Sequence, residues 1–274
     1  MILKYLCVAA AAITTASSAM AQTETSNIVD TTTLRVCADP ANMPFSNMAG
    51  EGFENKIAEL VAAELKIPVA YTWFPMATGF VRQTLRAGRC DIIIGFAQGD
   101  ELVQNTNHYY RSAWVIVYKT GSGLDGLVNL NDERLQGKKL GIIAGAPPGD
   151  VLAVNGLIGN ARPYALMVDR RYESPSEQMV KDIESGAIDA GILWGPIGGY
   201  YAKKSATPMT VTPLVKETKG ARQAYRITFG VRPHDQEWKR DLNRLITRKQ
   251  NDIHKILLDY GVPLLDENDQ LITK

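Results

Sequence analysis

The sequence has no excess of charge of either sign and no long apolar run beyond its first residues. Its 30 lysines and arginines stand against 29 aspartates and glutamates. A nucleic-acid partner requires a concentrated basic surface, so this balance argues against one. No later segment approaches the roughly 20 consecutive apolar residues that a membrane-spanning helix needs, so no stable membrane anchor is expected.

The sequence also lacks the motifs of common enzymes and cofactor sites. Its three histidines, His108, His234 and His254, are scattered and do not have the spacing of metal ligands. No nucleophile elbow, phosphate-binding loop or dinucleotide fingerprint is present. These absences predict a protein that binds and does not catalyse, with no metal and no cofactor.

The N-terminus has the three parts of a secretory signal peptide. Lys4 supplies the positive charge, an apolar stretch covers 5–13, and small residues lead to Ala21. Cleavage is expected after Ala21, and no cysteine follows that could carry a lipid anchor. The mature chain then has 29 basic and 29 acidic residues, and the protein is expected to be exported.

Cysteine is scarce, and only two of the three cysteines, Cys37 and Cys90, remain after this cleavage. In an oxidising compartment a pair of cysteines ordinarily forms a disulfide. However, Cys37 lies late in one predicted strand and Cys90 at the start of another, and such positions in neighbouring parallel strands can be too far apart. The residues therefore leave two alternatives, a Cys37–Cys90 disulfide and two buried thiols.

Patterns typical of strands and helices alternate along the mature chain. Strands are predicted at 34–38, 69–74, 92–95, 139–144 and 190–194. Helices are predicted at 54–65, at 79–87, from about 150 and from 175. A phrase in which a helix ends on glycine and turns through aspartate into a strand occurs twice, at 85–91 and 183–189. Two similar α/β units with parallel sheets are therefore predicted.

Two further strand-like segments, 113–118 and 225–231, are expected to connect these units. The C-terminal region has the pattern of two helices, one around Trp238 and the next around Ile253, which should pack back on the first unit. The predicted organisation is a signal peptide (1–21), a flexible leader (22–33), a discontinuous lobe 1 (34–115 and 230–266), lobe 2 (116–229) and a solvated tail (267–274).

The order of these elements resembles the type 2 periplasmic binding proteins. The stretches that carry the resemblance are 34–36 with Pro44-Phe45, Gly52-Phe53 at the start of a helix, 85–91 and 135–141. The resemblance implies an α/β fold of two lobes, each with a mostly parallel sheet flanked by helices, joined by two hinge strands. In that fold the ligand lies between the lobes.

Longer phrases are similar to the quinoprotein-dehydrogenase-associated branch of that fold, which includes MoxJ/XoxJ-type accessory proteins of periplasmic methanol dehydrogenase systems. They lie at 53–60, 79–82, 109–112, 193–201 and 259–264. This resemblance implies a periplasmic, non-catalytic protein that helps to assemble or activate a methanol dehydrogenase dependent on pyrroloquinoline quinone (PQQ). The implied partner is the large subunit of that dehydrogenase. The alternative is a solute-binding protein of an ABC transporter for a small ligand other than an amino acid.

Amino-acid-binding relatives hold the ligand with an arginine after the third strand and an acid after the second-lobe strand. Here 96–101 contains no arginine, and Trp194 stands at the position of the acid. An aromatic-lined cleft for a ligand or a client peptide is expected instead. The predicted contact residues are Trp194, Phe45, Asp39, Gln98, Asp100, Tyr109, Arg111 and Tyr200. About half of the aromatic residues are expected to be structural, and a hinge salt bridge is the competing interpretation of Arg111.

Overall fold

The computed structural model describes residues 29–273. Its main sheet is mixed and has nine strands. The predicted signal peptide lies outside the described residues. The first elements are β1 (Leu34–Ala38), β2 (Ala41–Asn42), β3 (Ser46–Asn47), α1 (Phe53–Leu65), β4 (Val69–Trp73), α2 (Phe80–Gln83), β5 (Ile92–Ala97) and β6 (Gln104–Lys119). The next are β7 (Leu140–Ile143), α3 (Pro148–Val154), β8 (Ala161–Tyr164), α4 (Pro175–Ser185), β9 (Ala190–Trp194), α5 (Gly195–Lys204) and β10 (Met209–Pro213). The last are β11 (Ala224–Val231), α6 (Gln236–Asp259), β12 (Leu264–Leu265) and β13 (Leu271–Ile272).

The long strand β6 belongs to both halves of the sheet. Its first part pairs antiparallel with β11, from Gln104 opposite Val231 to Ala113 opposite Ala224. Its second part pairs antiparallel with β9 and β10. Strand β11 also pairs antiparallel with β5, and the other pairings of the nine-stranded sheet are parallel: β1 pairs with β4 and β5, and β7 pairs with β8 and β9. The predicted α/β class with mostly parallel sheets is therefore confirmed.

Lobe 1 denotes here the half built on β1, β4 and β5, and lobe 2 the half built on β7, β8 and β9. Each half has its own apolar core: one lies between the first sheet, α1 and α6, and two smaller clusters flank the second sheet. In lobe 1, Ile57 and Val61 of α1 are four residues apart and fully buried. Burying one such side chain contributes about 1.5–3 kcal/mol. The lobe boundaries predicted from the sequence fall inside β6 and β11.

Two predictions about helices were wrong. The C-terminal region forms one helix of 24 residues, because buried positions such as Leu242, Ile246, Ile253 and Leu257 keep a helical period across the polar stretch 247–252. The second helix, predicted at 79–87, ends at Gln83. The Thr84 hydroxyl donates to the Phe80 carbonyl at 2.7 Å, and this residue leaves the helical backbone conformation.

The described part of the predicted solvated tail, 267–273, instead contributes β13 to a hairpin with β12, and this hairpin is bound to lobe 1. The buried guanidinium of Arg111 forms an ion pair with Asp269 at 2.6 Å and also donates to the Asp266 carbonyl. Glu267 accepts from Arg226 at 2.6 Å and lies 3.0 Å from the His108 ring nitrogen. The acidic residues of this segment thus pair with cations of β6 and β11, which explains why it is held.

Cys37 and Cys90 form a disulfide in the structure. Their Cα atoms lie 5.5 Å apart, within the range that such a bond spans. Cys37 belongs to β1, and Cys90 lies two residues before β5, the strand that pairs with β1. Both cysteines are buried. Of the two alternatives that the sequence left open, the structure contains the bridge.

Helix α5 forms a close contact between the lobes, which we call the back seam (Gly195, Gly199 and Tyr200 against Tyr260, Gly261 and Pro263). A β-carbon at Gly199 would overlap the carbonyl oxygen of Gly261 and would lie 3.1 Å from Pro263 Cδ. A β-carbon at Gly195 would overlap the carbonyl oxygen of Ala113. Both positions therefore require glycine because backbone atoms occupy the space of a side chain.

Side chains extend the same contact. The rings of Tyr200 and Tyr260 are stacked, with centroids 6.0 Å apart and an interplanar angle of 18°. The Lys203 ammonium donates to the Asp259 carbonyl at 2.7 Å. Helix α5 is therefore fixed against the end of α6, in addition to strand β6, which belongs to both halves of the sheet.

Replacing Gly199 with alanine should destabilise the protein by about 1–3 kcal/mol, because its methyl group would overlap backbone that cannot move aside as a side chain does. The control is Gly149→Ala in α3, where the nearest atom to a new β-carbon is Ile142 Cδ1 at 3.9 Å. The control should be neutral or gain up to about 1 kcal/mol from helix propensity. Urea unfolding of both variants measures the difference. Equal stability of the two variants would show that the back seam is loose.

Candidate functional site

A cavity of about 560 Å³, here called the interlobe cavity, opens between the lobes. Lobe 1 contributes the loop after β1, with Asn42, Met43 and Met48, and lobe 2 contributes the loop between β8 and α4. Trp194 ends β9 and lines the cavity, as does Trp114 of β6. The loops that follow the strands of the two sheets thus form its walls.

Trp194 is half-buried and forms the aromatic part of this wall. It lies directly opposite Trp114 in the β6–β9 ladder, and their rings are edge-to-face at 6.0 Å. Its other side contacts Tyr225 of β11 at 5.7 Å, also edge-to-face. Although it belongs to a strand of lobe 2, it packs against the apolar core of lobe 1. The arrangement offers a rigid apolar surface suited to rings or aliphatic side chains.

Asp39, at the end of β1, is linked to the opposite lobe. Its carboxylate is only 2% exposed and accepts hydrogen bonds from the backbone N–H groups of Ala41 at 2.9 Å and Met76 at 2.7 Å. Arg170, from the loop between β8 and α4, completes the shell with Nη1 3.1 Å from Asp39 Oδ2. This cross-lobe ion pair lies between the interlobe cavity and a second pocket of about 420 Å³, here called the side pocket.

Glu54, in the first turn of α1, is a second buried acid near this point and is 6% exposed. Burial and the neighbouring Asp39 carboxylate raise the pKa of Glu54 well above its usual range. A protonated carboxyl at Glu54 avoids a second buried negative charge beside Asp39.

The other predicted contact residues lie outside the interlobe cavity. Phe45 packs edge-to-face on Phe53 at 5.2 Å, against the core of lobe 1. Gln98 and Asp100 lie on the exposed turn after β5, where Asp100 accepts from the Leu102 N–H at 2.9 Å. Tyr200 belongs to the back seam. Two of the eight residues, Trp194 and Asp39, therefore lie between the lobes near the cavity, whereas Tyr200 contacts the opposite lobe behind it.

Tyr109 and Arg111 require correction as contact residues. Tyr109 is fully buried between Tyr110 and Phe229, because α6 covers this face of β6, and Gln250 of α6 donates to its carbonyl at 2.7 Å. Arg111 forms an ion pair with Asp269 of the C-terminal hairpin.

Sequence reasoning missed Trp114, Met43, Met48 and Arg170. Trp114 lies near the start of a segment, 113–118, that was already predicted to connect the lobes, so its position opposite Trp194 could have been found by aligning the two strands. Arg170 carried no such signal, because it lies in an irregular loop and its partner is 131 residues away.

Among residues 29–273, no group of three or more histidine, cysteine or acidic side chains is arranged to hold a metal ion. In the same part of the chain, no helix has the length and apolar character needed to cross a membrane.

Comparison with known proteins places this geometry in a family. The model of the bacterial extracellular solute-binding proteins, family 3, matches residues 34–262. The chain belongs to that family. It is similar to the crystal structure of the periplasmic binding protein XoxJ from Methylobacterium extorquens AM1, with 42% identity over 85% of this chain and all of that one, and a TM-score of 0.73. It is therefore a member of the MoxJ-type branch of type 2 periplasmic binding proteins.

Two more distant relatives agree with this assignment. The crystal structure of MxaJ from Methlophaga aminisulfidivorans MPT has 26% identity over 85% of this chain and all of that one, with a TM-score of 0.75. Protein MoxJ of Methylorubrum extorquens is 28% identical over 86% of this chain and 83% of its own length. The similarity therefore extends over both lobes of this family 3 protein.

The raised pKa of Glu54 predicts a pH-dependent effect of Glu54→Gln. A carboxyl whose folded pKa lies above its unfolded value, about 4.3, stabilises fully below that value and loses this contribution as pH rises. The glutamine variant should therefore gain stability relative to the wild type between pH 4 and pH 7, by up to about 1.4 kcal/mol per pH unit. Glu59→Gln, exposed on the same helix, is the control. Denaturant unfolding at the two pH values measures the gain, and a pH-independent difference for Glu54→Gln would contradict the burial argument.

Proposed function

We propose that this family 3 protein is a non-catalytic periplasmic accessory protein that helps to assemble or activate a PQQ-dependent methanol dehydrogenase. Its client is the large subunit of that enzyme, and a segment of the client enters the interlobe cavity. The MoxJ-type sequence and the apolar cleft support this function. The observation that carries it is Trp194, an aromatic residue lining the cavity where amino-acid-binding relatives place an acid.

The mouth of the interlobe cavity is apolar in a way that suits a protein client. Four large apolar side chains on or beside the loops that line it are exposed: Met48 at 69%, Leu166 at 54%, Met167 at 73% and Tyr172 at 81%. Exposed apolar residues grouped at one place are typical of protein-binding surfaces. Methionine side chains adapt to irregular partner surfaces, and an aromatic residue provides a rigid anchor.

Three of the four charged residues that line the cavity are paired within the protein, and the fourth is Glu173. Arg170 binds Asp39, and Arg171 binds Asp169 at 2.6 Å. Glu177 binds Lys181 at 2.7 Å. A free amino acid requires charged groups that are available for its carboxylate and its ammonium. This internal pairing favours apolar contacts with a client segment over capture of an amino acid.

A solute-binding role in an ABC transporter is the second candidate function. The volume of the interlobe cavity is within the range of small-molecule sites, so a small ligand other than an amino acid fits the space. The two functions differ in the phenotype of a deletion strain. Loss of the accessory protein lowers dehydrogenase activity, whereas loss of a transport protein lowers uptake of a solute.

Deleting the gene should lower active methanol dehydrogenase while the dehydrogenase transcript persists, and the wild-type gene should restore activity. A Trp194→Ala gene should fail to restore it, because truncating a central aromatic anchor costs about 2 kcal/mol or more in binding. Trp73→Ala is the matched control, since Trp73 is also half-buried but stacks on Tyr71 in lobe 1, outside the residues that line the cavity.

Dehydrogenase activity and melting temperature are measured for both variants. The proposal requires Trp194→Ala to accumulate and melt near the Trp73→Ala temperature while only the latter restores activity. A deletion strain with full dehydrogenase activity and defective solute uptake would favour the transporter function. Early melting specific to Trp194→Ala would assign the residue to the core.

A further inference from the structure

Lobe 1 holds the Asp39 carboxylate in place without help from lobe 2. The backbone N–H groups of Ala41 and Met76 bind one oxygen each, and both donors belong to lobe 1. These two hydrogen bonds therefore set the orientation of the carboxylate independently of Arg170. The two amides do not supply a full positive charge to balance that of the Asp39 carboxylate.

A buried carboxylate of this kind favours a cation as its partner, because leaving a buried charge unpaired costs several kcal/mol. Within residues 29–273, the cation that Asp39 pairs with is Arg170. The Arg170 side chain is 38% exposed and comes from an irregular loop of the other lobe. Arg170 thus binds the carboxylate from the opposite lobe, as a ligand in the cleft would, whereas the two amides are part of lobe 1.

The space around the pair is suited to a ligand. Arg170 lies in the wall between the interlobe cavity and the side pocket, and the residues that line both spaces with it are Pro40, Ala41, Leu166, Val168 and Arg171. Shortening Arg170 would join the two spaces beside Asp39. In the joined space the Asp39 carboxylate would lie beside apolar residues such as Pro40, Leu166 and Val168. An anion next to apolar surface is the chemistry that holds an aliphatic amine or guanidine.

We infer that Arg170 is a built-in occupant of a cation-binding subsite at Asp39, and that it excludes small amines and guanidines from the cleft. Arg170 is then a specificity-determining residue: it closes the subsite to free cationic ligands and leaves the aromatic surface around Trp194 for apolar contacts. This inference does not depend on the identity of the client proposed above.

The test is calorimetric titration with agmatine, a guanidine that has no carboxylate and so needs no second clamp. Wild-type protein should bind it with a Kd weaker than about 10 mM, and Arg170→Ala should bind it at about 1 mM or tighter, a gain of at least tenfold. Arg171→Ala is the matched control, because Arg171 is in the same loop and pairs with Asp169 instead of Asp39. It should behave as the wild type.

Two further arms identify the subsite. The double variant Asp39→Asn with Arg170→Ala should lose the gain, and N-butylurea, an uncharged analogue of similar shape, should not bind Arg170→Ala. If Arg170→Ala does not fold, Arg170→Gln removes the charge with less loss of volume and should show the same gain. The inference is overturned if the folded Arg170 variants bind agmatine no better than the wild type, if N-butylurea binds them equally, or if the Asp39→Asn background keeps the gain.

Discussion

The backbone contact at Gly195 and Gly199 is the constraint on which the position of Trp194 depends. Strand β9 ends at Trp194 and helix α5 begins at the next residue, so the helix start fixes the turn that carries the indole. Without a side chain at Gly195 or Gly199, α5 can touch the carbonyl groups of Ala113 and Gly261. The same contact therefore joins the two lobes at the back and places an aromatic ring on the cavity in front.

The interlobe cavity lies between two contacts that join the lobes. The back seam holds α5 against the end of α6, and the Asp39–Arg170 pair links the loops on the opposite side. Strand β6 completes the connection, because it pairs with β11 in one half of the sheet and with β9 in the other. Binding proteins of the transport type close by hinge motion around a ligand. Here groups of the protein already bridge the lobes, which favours a preformed surface for a client.

Local sequence pattern was sufficient where a segment follows its own period. The helix predicted from Ser174-Pro175 is α4, with the Ser174 hydroxyl accepting from the Glu177 N–H at 3.3 Å, and the strand predicted at 190–194 is β9. Helix α5 could not be found this way, because Gly195, Gly198 and Gly199 oppose helix formation locally. Its glycines are explained by tertiary contacts: Gly195 with the carbonyl of Ala113, Gly198 with Val115 and Gly199 with the carbonyl of Gly261.

The candidate site could be predicted only in part, because local sequence pattern does not show which residues other elements cover. Trp194 was predicted from its position at the end of a strand. Tyr109 was predicted as a contact residue in the same way, but α6 covers it in the folded protein. The partner of Asp39 depends on an irregular loop of the opposite lobe, which no periodicity describes. Long-range packing therefore decided which aromatic residues are exposed and which charges are paired.

The proposed function requires a methanol dehydrogenase subunit to bind at the interlobe cavity. Hydrogen–deuterium exchange of the full protein, alone and with the purified large subunit of a PQQ-dependent methanol dehydrogenase, tests this contact. Binding at the cavity predicts slower exchange in the complex at 42–49, 165–174 and 193–197, which line the cavity or its mouth, with α6 unchanged. A complex that forms while these three segments exchange at their free rates, with protection confined to α6 or to α3, would contradict it.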